Sequence, residues 1–188
     1  MKIGILISGR GSNMVALVDA VRSGEIPNAE VVVVISDRSD SAGLDKASER
    51  GIETLVIERN GRKRAEHDGE IAAELKARGV ELVCLAGFMR LLSPRFVEAF
   101  PRRILNIHPS LLPAFKGVDA QRQALAAGVK TTGCTVHYVN EHLDNGDIIL
   151  QREVPVLPND TVETLSNRVL HEEHIVYADA VRKIVVSG

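Results

Sequence analysis

With 188 residues, 45% of them apolar and 26% charged, the chain has the make-up of one globular domain large enough to bury a core without disulfide or metal staples. A net charge of -2 removes the electrostatic case for nucleic acid or an anionic membrane surface, and 3% aromatics with no Trp removes the case for a base-stacking platform. Cys84 and Cys134 sit in apolar runs without metal-type spacing, and no stretch resembles a signal peptide or approaches ~18 consecutive apolar residues, so a cytoplasmic setting is expected.

The first element is a strand over Lys2–Ser8, a continuous apolar run of the kind that parallel strands covered on both faces require. The turn that follows, "GRGSN", places Gly9, Gly11, Ser12 and Asn13 ahead of a helix over Asn13–Ser23, whose apolar residues at 14, 15, 17, 18 and 21 form one face. Glycines admit close backbone approach, and free N–H groups at a helix start suit an anion. Met14 stands where a dinucleotide fingerprint needs its third glycine, and no Gly-Lys-Ser/Thr closes the turn as a P-loop does. The signal is therefore for one phosphate held by Gly11, Ser12 and Asn13; the plainer alternative is a tight turn with Ser12 as a helix N-cap.

Strands at Glu30–Ser36, Glu53–Ile57 and Glu81–Leu85 then alternate with helices at Ala42–Arg50 and Arg62–Arg78. Gly24, Gly51 and Gly79 follow the helical patterns where a C-terminal glycine belongs. A fifth strand, Arg103–Asn106, ends in an amide, with His108 two positions on and Pro109 and Pro113 restricting the path beyond. Ligands of open parallel sheets bind outside the carboxyl ends of the strands, where Asn106, His108 and the segment "AGFMRLL" all fall. After residue 130 the rhythm changes. "TTGCTVHYV" and "GDIILQREVPV" read as an antiparallel pair, and a helix over Val162–Val185 closes the chain. The expected fold is α/β: a single-domain open, twisted, mostly parallel sheet, Rossmann-like in its N-terminal half, with antiparallel strands near the C-terminus and a closing helix.

Taken together, "LISGRGSN", "LAGFMRLLSP", "LNIHPSLLPAFKG" and "HLDNGDIILQ" resemble the glycinamide ribonucleotide formyltransferases, which use 10-formyltetrahydrofolate in purine synthesis. The resemblance spans nearly the whole chain. It implies one formyltransferase domain over 1–188, with residues to about 100 serving the nucleotide phosphate and those from about 101 serving catalysis and folate. It also implies Asn106, His108 and Asp144 as the catalytic set, with Asn106 and His108 donating to the formyl oxygen and Asp144 orienting His108.

By the same resemblance, Gly11, Ser12 and Asn13 hold the ribonucleotide phosphate with help from Arg64, and Glu173 accepts the ribose hydroxyls. Met89, Arg90, Leu91 and Leu92, with backbone around Leu143, line the pterin pocket. His137 is a supporting residue. Asp147 is a rival to Asp144 whose position at a strand start suits a turn cap better. The "HEEH" pair, His171 and His174, has no obvious third ligand, and no metal is expected. Partners are the two small-molecule substrates, with no nucleic acid or membrane, in a monomer or homodimer.

The chain departs from the family pattern at Asp119 and Gln121, where histidines are common, at Leu170, often Gln, and at Ala178, often Pro. Other formyl-folate enzymes share the Asn-x-His-Pro motif, but a methionyl-tRNA formyltransferase or a formyltetrahydrofolate hydrolase carries a further domain not expected within 188 residues. A nucleotide-binding oxidoreductase is opposed by Met14, and a catalytically dead binding protein by the intact trio.

Overall fold

The computed structural model describes residues 1–187; residue 188, the last of the expected domain, lies outside them. The elements run β1 (Lys2–Ile7), α1 (Ser12–Arg22), β2 (Glu30–Ser36), α2 (Ala42–Glu49), β3 (Thr54–Val56), α3 (Arg64–Ala77) and β4 (Leu82–Leu85). They continue with α4 (Pro94–Ala99), β5 (Ile104–His108), α5 (Ala120–Ala126), β6 (Thr131–Tyr138), β7 (Ile148–Pro155) and α6 (Val162–Ser187).

One seven-stranded sheet has the order β3-β2-β1-β4-β5-β6-β7. Pairings from β3 through β5 are parallel, and β6 and β7 add antiparallel strands to the same sheet. This is the fold class expected from the alternating apolar runs. The order reverses between β1 and β4, so the glycine turn after β1 and the segment after β4 flank the switch point where such sheets bind ligands. The two connections are tied together: Ser8 N donates to Gly87 O at 3.2 Å, and Met89 N donates to Ser8 Oγ at 2.9 Å.

Two apolar layers cover the sheet. Met14, Leu17 and Val18 of α1 pack with Val169, Val176, Tyr177 and Val181 of α6 over one face. Ile71 and Leu75 of α3 pack with Phe96 of α4 over the other. Cys84 and Cys134 are free and belong to the first layer, as core residues should. The fully buried Tyr177 sends its hydroxyl to Leu85 O at 3.0 Å and Leu105 O at 3.2 Å, bridging the neighbouring strands β4 and β5. The Leu112–Pro113 peptide is cis.

Two short helices, α4 and α5, are additions to the sequence reading, and β5 runs two residues beyond its expected end. The extension has a physical cause in β6, which continues the ladder through the rungs Asn106↔His137, Ile107↔Val136 and His108↔Thr135. Asn106 and His108 therefore stand on the same face of a regular strand, two residues apart, rather than on a loop.

Candidate active site

The carboxyl end of β5 is where polar side chains converge. His108 is buried, as is Asp144 from the loop between β6 and β7. Nδ1 of His108 lies 3.4 Å from Asp144 Oδ2, and its Nε2 lies 2.9 Å from the Phe115 carbonyl. Both neighbours are acceptors, so each ring nitrogen faces a group to which an N–H can donate. The contact to Phe115 has ordinary hydrogen-bond length, while the contact to Asp144 is long. The Nδ1 edge is thus the looser one. Asp144 sits in the left-handed region at φ 45, which Asp tolerates better than most residues, and its Oδ2 accepts from Gly117 N at 2.8 Å. The strap 115–117 therefore touches both members of the pair.

His137 brings a signal that sequence spacing understated. Its Nδ1 is 2.8 Å from Tyr138 O, and its Nε2 is 3.2 Å from Asn106 Nδ2. Burial pushes the His137 imidazole below its ordinary range, more than the Tyr138 carbonyl and the Asp144 carboxylate raise it. A neutral ring with hydrogen on Nδ1 then accepts one amide hydrogen of Asn106 at Nε2, leaving the second free to donate elsewhere. Nε2 also lies 3.8 Å from Asp144 Oδ1. Asn106, His108, His137 and Asp144 thus form one group. The rival carboxylate, Asp147, is exposed and pairs with Arg102 at 2.8 Å.

On the other side of the switch point, Gly11 is the N-cap of α1, at φ 69. Gly11 holds the cap position, Ser12 is the first helical residue, and no side chain caps the helix, so Ser12 is not the N-cap of the plainer alternative. The N–H groups of Gly11, Ser12 and Asn13 have no protein acceptor among the described residues, so the helix start presents donors with a positive dipole end behind them. A Cβ on Gly11 would come within 2.7 Å of Gly43 Cα, because α2 closes over the turn. Gly43 N and Ser41 Oγ both donate to Gly9 O, at 3.0 and 2.7 Å, and Lys46 Nζ donates to Arg10 O at 2.8 Å. None of these α2 contacts was legible in the turn's own sequence.

Asn13 is buried, and its side chain is turned away from the exposed turn. Its Nδ2 donates to Glu173 Oε2 at 2.7 Å across 160 positions of sequence. The Glu173 carboxyl is pushed above its ordinary range by burial, an effect only partly offset by the Asn13 bond. The Oδ1 of Asn13 has no partner among the described residues. Arg64 is exposed at the start of α3, beyond the end of β3, two strands from the turn, and no hydrogen bond or ion pair joins it to the turn among the described residues.

The segment after β4 presents apolar side chains to solvent. Met89 is 78% exposed and Leu91 is 51% exposed, and Leu143, in the loop between β6 and β7, is 50% exposed. Leu92 is buried in the core beneath the segment and serves as its floor. The Arg90 guanidinium turns back to Asp37 at 3.6 Å. Asp119 is exposed and takes a left-handed conformation at the start of α5, and neither it nor Gln121 contacts Asn106, His108 or Asp144. Gln123 of the same helix donates to Lys116 O and Val118 O, at 3.2 and 2.8 Å, and so holds the strap. Among the described residues no three His, Cys, Asp or Glu side chains are grouped as metal ligands, and no helix is long and apolar enough to cross a membrane.

Comparison with known proteins identifies the family. A formyl transferase family model matches residues 1–181. Phosphoribosylglycinamide formyltransferase of Escherichia coli (strain K12) is 42% identical over 178 residues, covering 94% of this chain and 84% of that protein. The trifunctional purine biosynthetic protein adenosine-3 of Homo sapiens is 50% identical over 190 residues; all of this chain is covered, but it spans only 18% of the human protein's length. Among solved structures, glycinamide ribonucleotide transformylase 1 from Symbiobacterium toebii superposes with a TM-score of 0.97 at 52% identity, covering 100% of this chain and 88% of that one. By sequence and by fold, the chain belongs to the phosphoribosylglycinamide formyltransferase branch of the formyl transferase family.

Proposed function

We propose that the chain transfers the formyl group of 10-formyltetrahydrofolate to the amine of glycinamide ribonucleotide, giving the formylated ribonucleotide and tetrahydrofolate. The observation that carries this reading is the pairing of His108 with Asp144 beside Asn106 at the end of β5, next to a helix start with free donors.

In this mechanism the substrate amine attacks the formyl carbon and an oxyanion develops on the formyl oxygen. The free hydrogen of the Asn106 amide and the loosely held Nδ1–H of His108 donate to that oxygen. Asp144 takes the proton released by the attacking amine, directly or through water. The bond from the formyl carbon to N10 then breaks as N10 gains a proton, with His108 as the general acid, and tetrahydrofolate leaves. Protons balance, since one leaves the amine and one joins N10.

The N–H groups of Gly11, Ser12 and Asn13 hold the phosphate, and Glu173 accepts the ribose hydroxyls. Met89, Leu91 and Leu143 form the apolar slot for the pterin, with main-chain groups of residues 89–92 at its edge and Leu92 beneath. Arg90 contributes backbone rather than charge. Arg64, two strands from the turn, adds positive potential at longer range. The halves divided near residue 100 share the ribonucleotide, because Glu173 of the second reaches Asn13 of the first.

Release of tetrahydrofolate, followed by absorbance with and without glycinamide ribonucleotide, tests the proposal. Turnover that requires the ribonucleotide is expected. Turnover that ignores it would make the chain a hydrolase, and none in either case would overturn the reading.

A further inference from the structure

The segment assigned to the pterin is anchored at its far end by an acid that the mechanism does not use. His67 and Asp68, in the first turns of α3, are 0% and 1% exposed and border the apolar layer of Ile71, Leu75 and Phe96. A buried carboxylate is costly, and a leucine would fill the same space at less expense. The use of Asp68 is visible in its contacts. Its Oδ2 accepts the Ser93 N–H at 2.5 Å, where the segment after β4 ends and Pro94 opens α4. Its Oδ1 stands 3.6 Å from His67 Nδ1, and His67 Nε2 is 2.6 Å from Ile57 O. Asp68 Oδ1, His67 Nδ1 and Ser93 Oγ are all buried without hydrogen-bond partners among the described residues. Such a concentration of unmet polar atoms is expensive for packing alone.

The near end of the segment is tied to Ser8 through Met89 N. Between Ser8 and Asp68, Arg90 pairs with Asp37 at 3.6 Å, while Met89 and Leu91 are 78% and 51% exposed. We infer that Asp68 is a positioning residue for the folate segment: by holding Ser93 N–H it fixes the exit of residues 88–92 and so the placement of Met89 and Leu91. The inference rests on the assignment of that segment to the pterin made above.

Steady-state kinetics with both substrates varied provide the test, on the wild-type chain, Asp68→Ala and Asp68→Asn. Asp68→Ala should raise KM for 10-formyltetrahydrofolate about tenfold while KM for the ribonucleotide and kcat stay within about twofold, the size expected for one lost charge-assisted hydrogen bond felt at one ligand. Asp68→Asn should restore the folate KM. Its carbonyl can still accept from Ser93 N, and its amide can donate to the unpartnered His67 Nδ1. A purely structural role would reduce the amount of active protein and leave both KM values alike. An unchanged folate KM in Asp68→Ala, or an equal rise in both, would overturn the inference.

If Asp68→Ala does not fold, amide exchange in the wild type decides. Ser93 N–H should exchange as slowly as the amides of β4, and exchange at the rate of exposed loop amides would overturn the anchor. Absence of formyl transfer in the wild type itself would point instead to a wrong assignment of the site, and the inference would fall with it.

Discussion

Asn106 and His137 face each other across one rung of an antiparallel ladder, and the hydrogen between them decides where the amide's second hydrogen points. His108→Ala should lower turnover by roughly two to four orders of magnitude, since it removes an oxyanion donor and the general acid together. His137→Ala should cost about tenfold, because Asn106 remains but loses its orientation. Rapid-quench measurement of the chemical step distinguishes the two. Glu173 gives a prediction that titration can check. Its folded-state carboxyl titrates above the ordinary value of 4.5, so the native state favours the protonated form. That contribution to stability is whole below about 4.5 and is lost as pH rises through the folded-state value. Glu173→Gln should therefore melt like the wild type in acid and a few degrees higher at pH 8, with a raised KM for the ribonucleotide. At this scale the sequence exposed what sits beside a proline or a strand end, as Asn106 and His108 do. Linear spacing could not pair Asp144 with a histidine 36 positions away, and resemblance alone supplied it. Nothing in "HDGE" marks Asp68 as an anchor, because its partner is a backbone amide 25 residues on.

Among the elements, α1 and α2 meet at two glycines, Gly11 and Gly43, and the turn after β1 exists in its present shape because they can. A Cβ at Gly43 would lie 2.6 Å from Ile7 Cδ1, 3.0 Å from Gly9 O and 3.1 Å from Gly11 Cα. Gly43→Ala should cost about 1–3 kcal/mol of stability as the turn shifts to relieve the clash. Its kinetic effect should fall on the ribonucleotide KM and leave that for the folate unchanged, which steady-state assays resolve. The parallel strands were legible as continuous or nearly continuous apolar runs of the kind doubly covered strands tolerate, although the three-residue edge strand β3 is only partly covered. Strand β5 was read short because its last two rungs are supplied by β6, not by its own composition. Helices α4 and α5, of 6 and 7 residues, are too brief to display a period; the dipeptide Ser93-Pro94, a cap followed by proline at the first helical position, was the signal that could have found α4.

For the whole molecule, the apolar layer shared by α1, α6 and the sheet encloses both thiols, and burial pushes each up to about 12. Neither thiolate is populated at neutral pH, and neither sulfur is accessible. Alkylation by iodoacetamide at pH 8 should proceed at the rate of global unfolding, and modification of the native protein within minutes would contradict this. The same layer joins the beginning of the chain to its end through the bond between Asn13 and Glu173. During synthesis the residues grouped at the end of β5, from 106 to 144, are all made within one short interval and can meet while the rest is still being added. The proposed ribonucleotide site cannot, since Asn13 on one wall of it and Glu173 on the other stand 160 positions apart. A ribosome-bound chain that stops before residue 173 should therefore be blind to the ribonucleotide, however much of its sheet has already formed.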